Sequence, residues 1–434
     1  MENNSNRRIL IAIGFVLLFA IIVIVWYFFY AKPVIGKNIT ETNNPFPTQQ
    51  TPPRFQFLNW GGEDTSTSTT EIVDPLSVPL VRIWDKPATG QTFVTQNILK
   101  EIIATSTQGT TTIQFTKTIR ATSTVVMFVD RTTGYIYGYP IETGKPFQVS
   151  NTVMPGIYDA QIFDEGRKVI MRYIDQEKDT IVGIIANIPR VEENEMPLPL
   201  TNIQYITSQV TSITTNRKKD KASYLVATDN GSAVYTITPR GPVLVTTSPF
   251  KEWDLAYGGD TLYVTTKPSA YVSGVTLSIP KFQPEIGEKT GLMSNPGQGG
   301  TILGSMWGAR GLATFISSNG DPKVTSAQTL ASKCAWGDRQ FLVCGVPRTI
   351  PMRGTEGLPD DWFQGRISFS DDFFIIDSST GEKYLLYSFT EDEGVFDITN
   401  ISISKENVFI VFNKKQNAHL WILNTNLLGG DGAN

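Results

Sequence analysis

Histidine is nearly absent from this 434-residue sequence: His419 stands alone. A catalytic triad would have to be built on that one imidazole, and a His-based metal centre needs several. It lies in the strand-like stretch "NAHLWIL", where a structural or surface role is the simpler reading. No G-x-S-x-G elbow, P-loop or H-E-x-x-H run occurs. Cysteine is almost as scarce, with Cys334 and Cys344 and no C-x-x-C spacing. Excess positive charge is missing too. Lys and Arg total 37 against 41 Asp and Glu, a net charge of −4, which argues against a nucleic-acid binder. The one basic run, Arg217-Lys218-Lys219-Asp220-Lys221, reads as a solvated hairpin tip. Long amphipathic helical runs are lacking after residue 31. No metal, no cofactor and no enzymatic activity are expected on these grounds.

What is present begins with an apolar run. Ile9–Tyr30, "ILIAIGFVLLFAIIVIVWYFFY", is 22 residues without a charge. That length spans a hydrocarbon core as a helix and satisfies its own backbone. A signal peptide would have a shorter apolar region and a small-residue cleavage site. Here the run ends in Trp26-Tyr27-Phe28-Phe29-Tyr30, which suits a membrane interface, and an uncleaved anchor is expected. A short basic head (1–8, with Arg7 and Arg8) before a large domain favours a cytoplasmic N-terminus and an extracytoplasmic bulk. Residues 31–77 are rich in Pro, Thr, Asn, Gln and Ser and have little apolar periodicity, so they read as a flexible stalk.

From residue 78 the chain falls into strand–turn–strand units, at Ser123–Asn151, Gly156–Ile188, Val210–Ser248, Trp253–Ile279, Gly300–Ser332, Lys333–Phe389 and Phe396–Asn424. Seven units of about 45 residues match the repeat length of propeller blades. The last unit shows three strands, and a spare strand, Leu80–Trp84, precedes the first unit. Joining the two would close the ring and remove both open edges. The expected fold is therefore all-β: a seven-bladed β-propeller of four-stranded antiparallel blades over 78–424, with a flexible tail at 425–434. A pair of β-sandwich domains is the rival fold.

Two hairpins repeat a phrase, "VDRTTGYIY" at Val129–Tyr137 and "IDSSTGEKY" at Ile376–Tyr384. With the blade pattern, they give the chain over about Val78–Asn424 a resemblance to WD40-like and TolB-type β-propellers of bacterial envelopes. That resemblance implies a rigid disc with loops on two faces. The phrase itself is turn chemistry: Asp bonds to the backbone ahead and Gly takes a positive φ.

Candidate site residues follow from the same frame. Cys334 and Cys344 flank a Gly-Asp-Arg turn and lie nearly opposite on neighbouring strands, as a disulfide outside the cytoplasm or as two buried thiols. Asp159, Asp254 and Asp397 each follow an aromatic residue at the start of a unit's first, innermost strand. They either ring a channel mouth and attract a basic partner or tie inter-blade loops. Val346–Ser368 interrupts a unit with a long insertion. Its Met352, Arg353, Trp362, Phe363 and Arg366 suit an interaction loop, or the loop packs over the channel or a neighbouring blade. Acid clusters at Asp360-Asp361, Asp371-Asp372 and Glu391–Glu393 leave a glycan-active hydrolase or a ligand-binding propeller as the alternative function. The leading expectation is a membrane-tethered protein-interaction scaffold in an envelope complex for secretion, pilus or surface assembly. Its partners are the membrane, through Ile9–Tyr30, and envelope proteins.

Overall fold

A computed structural model describes residues 77–108, 111–177, 179–206, 209–318, 320–338, 341–350 and 357–428. The anchor expected at Ile9–Tyr30, nearly all of the stalk and the end of the tail lie outside the described residues. Among the described residues no helix is long and apolar enough to cross a membrane.

The strands form seven four-stranded antiparallel sheets, each a meander except at the closure. The first blade is Ala88–Gln108, Thr111–Asp130, Ile136–Pro140 and Phe147–Gln148. The second is Ile157–Phe163, Lys168–Asp175, Thr180–Asn187 and Thr201–Ile206. The third is Val210–Thr215, Ala222–Thr228, Gly231–Thr238 and Gly241–Ser248. The fourth is Trp253–Gly258, Thr261–Thr266, Ser273–Ile279 and Gln283–Thr290. Met293–Pro296, Thr301–Gly308, Gly311–Ser318 and Asp321–Val324 make the fifth. Cys334–Trp336, Phe341–Pro347, Asp371–Asp377 and Lys383–Tyr387 make the sixth. The seventh takes Ile398–Ile403, Phe409–Lys414 and His419–Asn424 from the C-terminal part of the chain and Leu80–Trp84 from before the first blade.

The expected closure is thus present. Leu80 pairs with Leu423 and Val81 with Ile422, so the outer edge of His419–Asn424 is covered. Trp84 then reaches into the first blade. Its indole N–H donates to Asp130 Oδ2 at 3.2 Å, and its ring packs on Phe128 and Tyr137.

The apolar residues do not gather into one centre. Among the described residues they form seven clusters, each between two consecutive blades. A middle strand of a blade is therefore covered on both faces. This is why Val125, Val126, Met127, Phe128 and Val129 form an unbroken apolar run in which all five are buried. A sheet packed on one side only would alternate.

Several boundaries differ from expectation. The first unit was expected to start at Ser123 with three strands, but its innermost strand is Ala88–Gln108. The fifth blade starts at Met293 and ends at Val324, because residues 325–333 connect it to the sixth. The tail begins with a 3-10 turn, Thr425–Leu428, which Thr425 ties down through Oγ1 to the carbonyls of Asn407 and Val408.

Candidate interaction surfaces

Strand alternation in a meander sorts the loops onto two faces. First-to-second and third-to-fourth turns share one face; second-to-third turns and blade-to-blade connections share the other. On the first face, one turn is unlike the rest. The hairpin between Ala88–Gln108 and Thr111–Asp130 stays in unbroken register from Val94↔Val125 out to Gln108↔Thr111. The third strand of the blade pairs with Thr111–Asp130 only at Val125–Val129. Eleven cross-strand pairs, from Ile98↔Ala121 outward, therefore form a two-stranded ribbon beyond the blade. At ~3.4 Å per residue it projects on the order of 35 Å.

The base of the ribbon is fastened. Ile98 is buried in the cluster between the first two blades, beside Ile188, Val191 and Leu200. Lys100 Nζ meets Glu142 at 2.7 Å and Arg120 meets Glu192 at 3.2 Å, one pair to the outer turn of its own blade and one to the second blade. These pairs are partly exposed and weak singly. Together with Ile98 they fix the direction in which the ribbon leaves the disc.

The basic run lies on the same face and is not simply a solvated tip. Lys219 Nζ donates to Thr215 Oγ1 at 2.8 Å and Gln161 Oε1 at 3.2 Å. Burial pushes its ammonium down to about 8, with Asp159 pulling the other way. Lys221 pairs with Asp260 at 2.9 Å, and Arg217 reaches Asp338 of the sixth blade, across the ring from its own third blade. Spacing in the sequence carries no sign of that cross-ring pair. Beside Asp338, a cleft of about 240 Å³ opens between the sixth and seventh blades, lined by Phe341, Val343, Ile375, Leu386, Ile403 and Ile410.

The opposite face holds the three aspartates and the insertion. Asp159 lies on the innermost strand and pairs with Arg172 at 2.9 Å; the Arg172 guanidinium also covers the Tyr158 ring. Asp254 lies on the innermost strand of the fourth blade. The side chain is exposed, yet the desolvation imposed by the inner strands around it pushes its carboxyl up to about 6, against the lowering pull of Lys267 and Arg172. Asp397 departs from the expected ring of acids. It is fully buried and bound to Lys333, because Phe396-Asp397 precedes the strand and turns into the wedge between blades. The aromatic-Asp phrase thus has different surroundings at its third occurrence.

The insertion after Phe341–Pro347 runs over neighbouring blades. Met352 and Arg353 lie outside the described residues. Leu358 and Trp362 are buried in the cluster between the fifth and sixth blades. Asp360 accepts from the backbone N–H of Ala270 in the fourth blade. Asp361 accepts from Gly357 N at 2.6 Å and pairs with Arg366. Phe363 stays 51% exposed, so of the two adjacent aromatics one anchors the loop and one faces outward.

The acid clusters are spent on structure. Asp372 holds Arg348 through two contacts, 2.9 and 2.6 Å, while Asp371 pairs with Lys333. Glu393 caps its own turn at Thr390 N, 2.8 Å. Cys334 and Cys344 face each other in the strand register and are joined as a disulfide.

No protein-family profile matches this chain, and no curated protein matches it. Among solved structures it is similar to three β-propellers. One is the β-propeller domain of the trilobed protease from Pyrococcus furiosus, at 10% identity over 59% of this chain and 76% of that one, TM-score 0.38. Another is the β-propeller domain of Myceliophteria thermophila Cps50 (Swd1), at 9% identity over 69% and 92%, TM-score 0.44. The third is an oligogalacturonate lyase from Vibrio parahaemolyticus, at 8% identity over 78% and 98%, TM-score 0.42. The fold is a seven-bladed β-propeller.

Proposed function

We propose that this protein is an interaction scaffold, tethered to a membrane through Ile9–Tyr30 and holding its propeller on the extracytoplasmic side as part of an envelope complex. The observation that carries this reading is the ribbon. A hairpin of eleven pairs beyond its blade contributes little to the disc's own core, yet its base is pinned by a buried isoleucine and two ion pairs. A two-stranded ribbon standing beyond its blade offers unpaired backbone edges, and an added strand from a partner would pair with them. The apolar run and the Pro- and Thr-rich segment after it support a tether with reach.

The test uses the full chain, purified from detergent-solubilised membranes. A second version replaces 99–120 by a two-residue turn joining Ile98 to Ala121. The expected result is a fixed set of envelope proteins that accompanies the intact chain and is lost from the shortened one. Equal recovery by both versions, with both folded, overturns the assignment to the ribbon.

A further inference from the structure

Lys333 has no exposed side-chain surface, and neither have the two carboxylates beside it. Its Nζ lies 2.6 Å from Asp371 Oδ2 and in direct contact with Asp397 Oδ1. The rings of Trp362 and Phe369 wall it in, with centroids 5.3 and 4.9 Å from Nζ. Lys415 is the next cation, its Nζ bonded to the Trp362 carbonyl. A buried lysine with two acids leaves one negative charge in excess, a costly arrangement for a structural contact.

The two acids differ. Asp397 accepts from the Trp362 indole N–H at 3.0 Å, Ser368 Oγ at 3.3 Å and Phe369 N at 3.1 Å. Asp371 accepts from Lys333 and, at 2.6 Å, from Ile398 N, both on Oδ2, while its buried Oδ1 has no donor. Burial pushes the Asp371 carboxyl up to about 6, so its neutral form is accessible. Gly345 makes the room: a Cβ there would stand 2.8 Å from Ile398 Cβ and 3.3 Å from Asp371 Oδ2.

We propose that Lys333 and Asp371 condense into an intramolecular amide, with Asp397 as the proton carrier. Asp397 takes a proton from the Lys333 ammonium, which frees the amine lone pair. Nζ attacks Cγ of protonated Asp371, and a new N–C bond forms as the C–O bond to the hydroxyl breaks. Asp397 collects the second Nζ proton in exchange for the first, which goes to the departing hydroxyl as water. No oxidant or co-reactant is needed. The Lys333 ammonium and the Asp397 carboxylate are both discharged, which removes two buried charges from a dry site and leaves Asp397 as the neutral acid. The amide would join the approach to the innermost strand of the sixth blade to its third strand, beside the Cys334–Cys344 disulfide, and would enclose the insertion in a covalent loop.

The experiment weighs the full chain after reduction and denaturation, next to a Lys333→Arg variant that keeps the charge and cannot condense. The wild type is expected to fall short of its composition by the mass of one water, and the variant to match its own. Proteolysis of the wild type should release one branched peptide joining Lys333 to Asp371. A wild-type mass that matches the sequence overturns the proposal, whether or not the variant folds. A branch from Lys333 to Asp397 overturns the assigned roles. An Asp397→Asn variant that still forms its disulfide should carry the unlinked mass, and a complete water loss in it removes Asp397 from the chemistry.

Discussion

At the scale of single residues, one phrase has two different weights. Asp130 Oδ1 accepts from Thr132 N at 2.9 Å and Thr133 N at 3.1 Å, and Gly134 follows at φ 77. Asp377 repeats this with Ser379 N at 2.8 Å, Thr380 N at 3.4 Å and Gly381 at φ 77. The Asp130 carboxylate is buried and also receives the Trp84 indole from the closing strand. Asp130→Ala should therefore cost about 2–3 kcal/mol, against about 0.5–1 for Asp377→Ala, because a buried donor left unsatisfied is penalised and an exposed one finds water. Urea denaturation of the two variants measures the difference, and equal costs would show that Asp130 does no more than shape its turn. Asp254 supplies a pH signature. Its folded value of about 6 stands above the ordinary 3.8, so its contribution to stability is present in acid and fades as pH rises through about 6. Asp254→Asn should then stabilise the fold near pH 7 and flatten the change between about pH 4 and 6. The carboxylate opens partly onto channel water, so the gain is held under about 1 kcal/mol. Melting curves across that range check the sign; a destabilised variant at pH 7 reverses it.

At the scale of elements, the blades were legible and the ribbon was not. Turn signals such as Asp229-Asn230-Gly231 fall at blade spacing, and the unbroken apolar runs between them mark strands covered on both faces. In residues 95–122 the two strands run on past the blade without a turn signal, so the regular spacing of turns on which that reading relied is interrupted. Asp397 was legible as a position and not as a partner, since Lys333 is 64 residues away in the chain and meets it only through the packing of two blades. The ribbon makes its own prediction about stability. Because the ten pairs removed lie beyond the blade, replacing 99–120 by a short turn should shift the denaturation midpoint little, with a change under about 1 kcal/mol. A loss of several kcal/mol in the same measurement would mean that the ribbon folds back as part of the disc.

At the scale of the whole molecule, stability depends on the ring being shut. Each of the seven apolar clusters belongs to two blades, so each blade is held from both sides and an opening anywhere exposes two faces. The seam is Leu80–Trp84. Val81 and Ile83 are buried against Phe128, Tyr139, Val411 and Leu420, and Trp84 bridges to the first blade. Deleting Val78–Trp84 would uncover both blades and leave His419–Asn424 as an open edge. Burial of two aliphatic side chains and much of a tryptophan amounts to about 5 kcal/mol or more, comparable with the net stability of an ordinary domain. The truncated chain is expected to aggregate or to melt far below the intact one, and a peptide spanning Val78–Trp84 added in trans should restore part of the loss. Reduction of Cys334–Cys344 is the local counterpart. It opens a loop of 10-residue separation inside one blade, so roughly 2–3 kcal/mol is lost with the ring still closed. Thermal melts of the two perturbed proteins separate the cases, and a deletion milder than the reduction would place the weight of the fold within its blades and not in their closure.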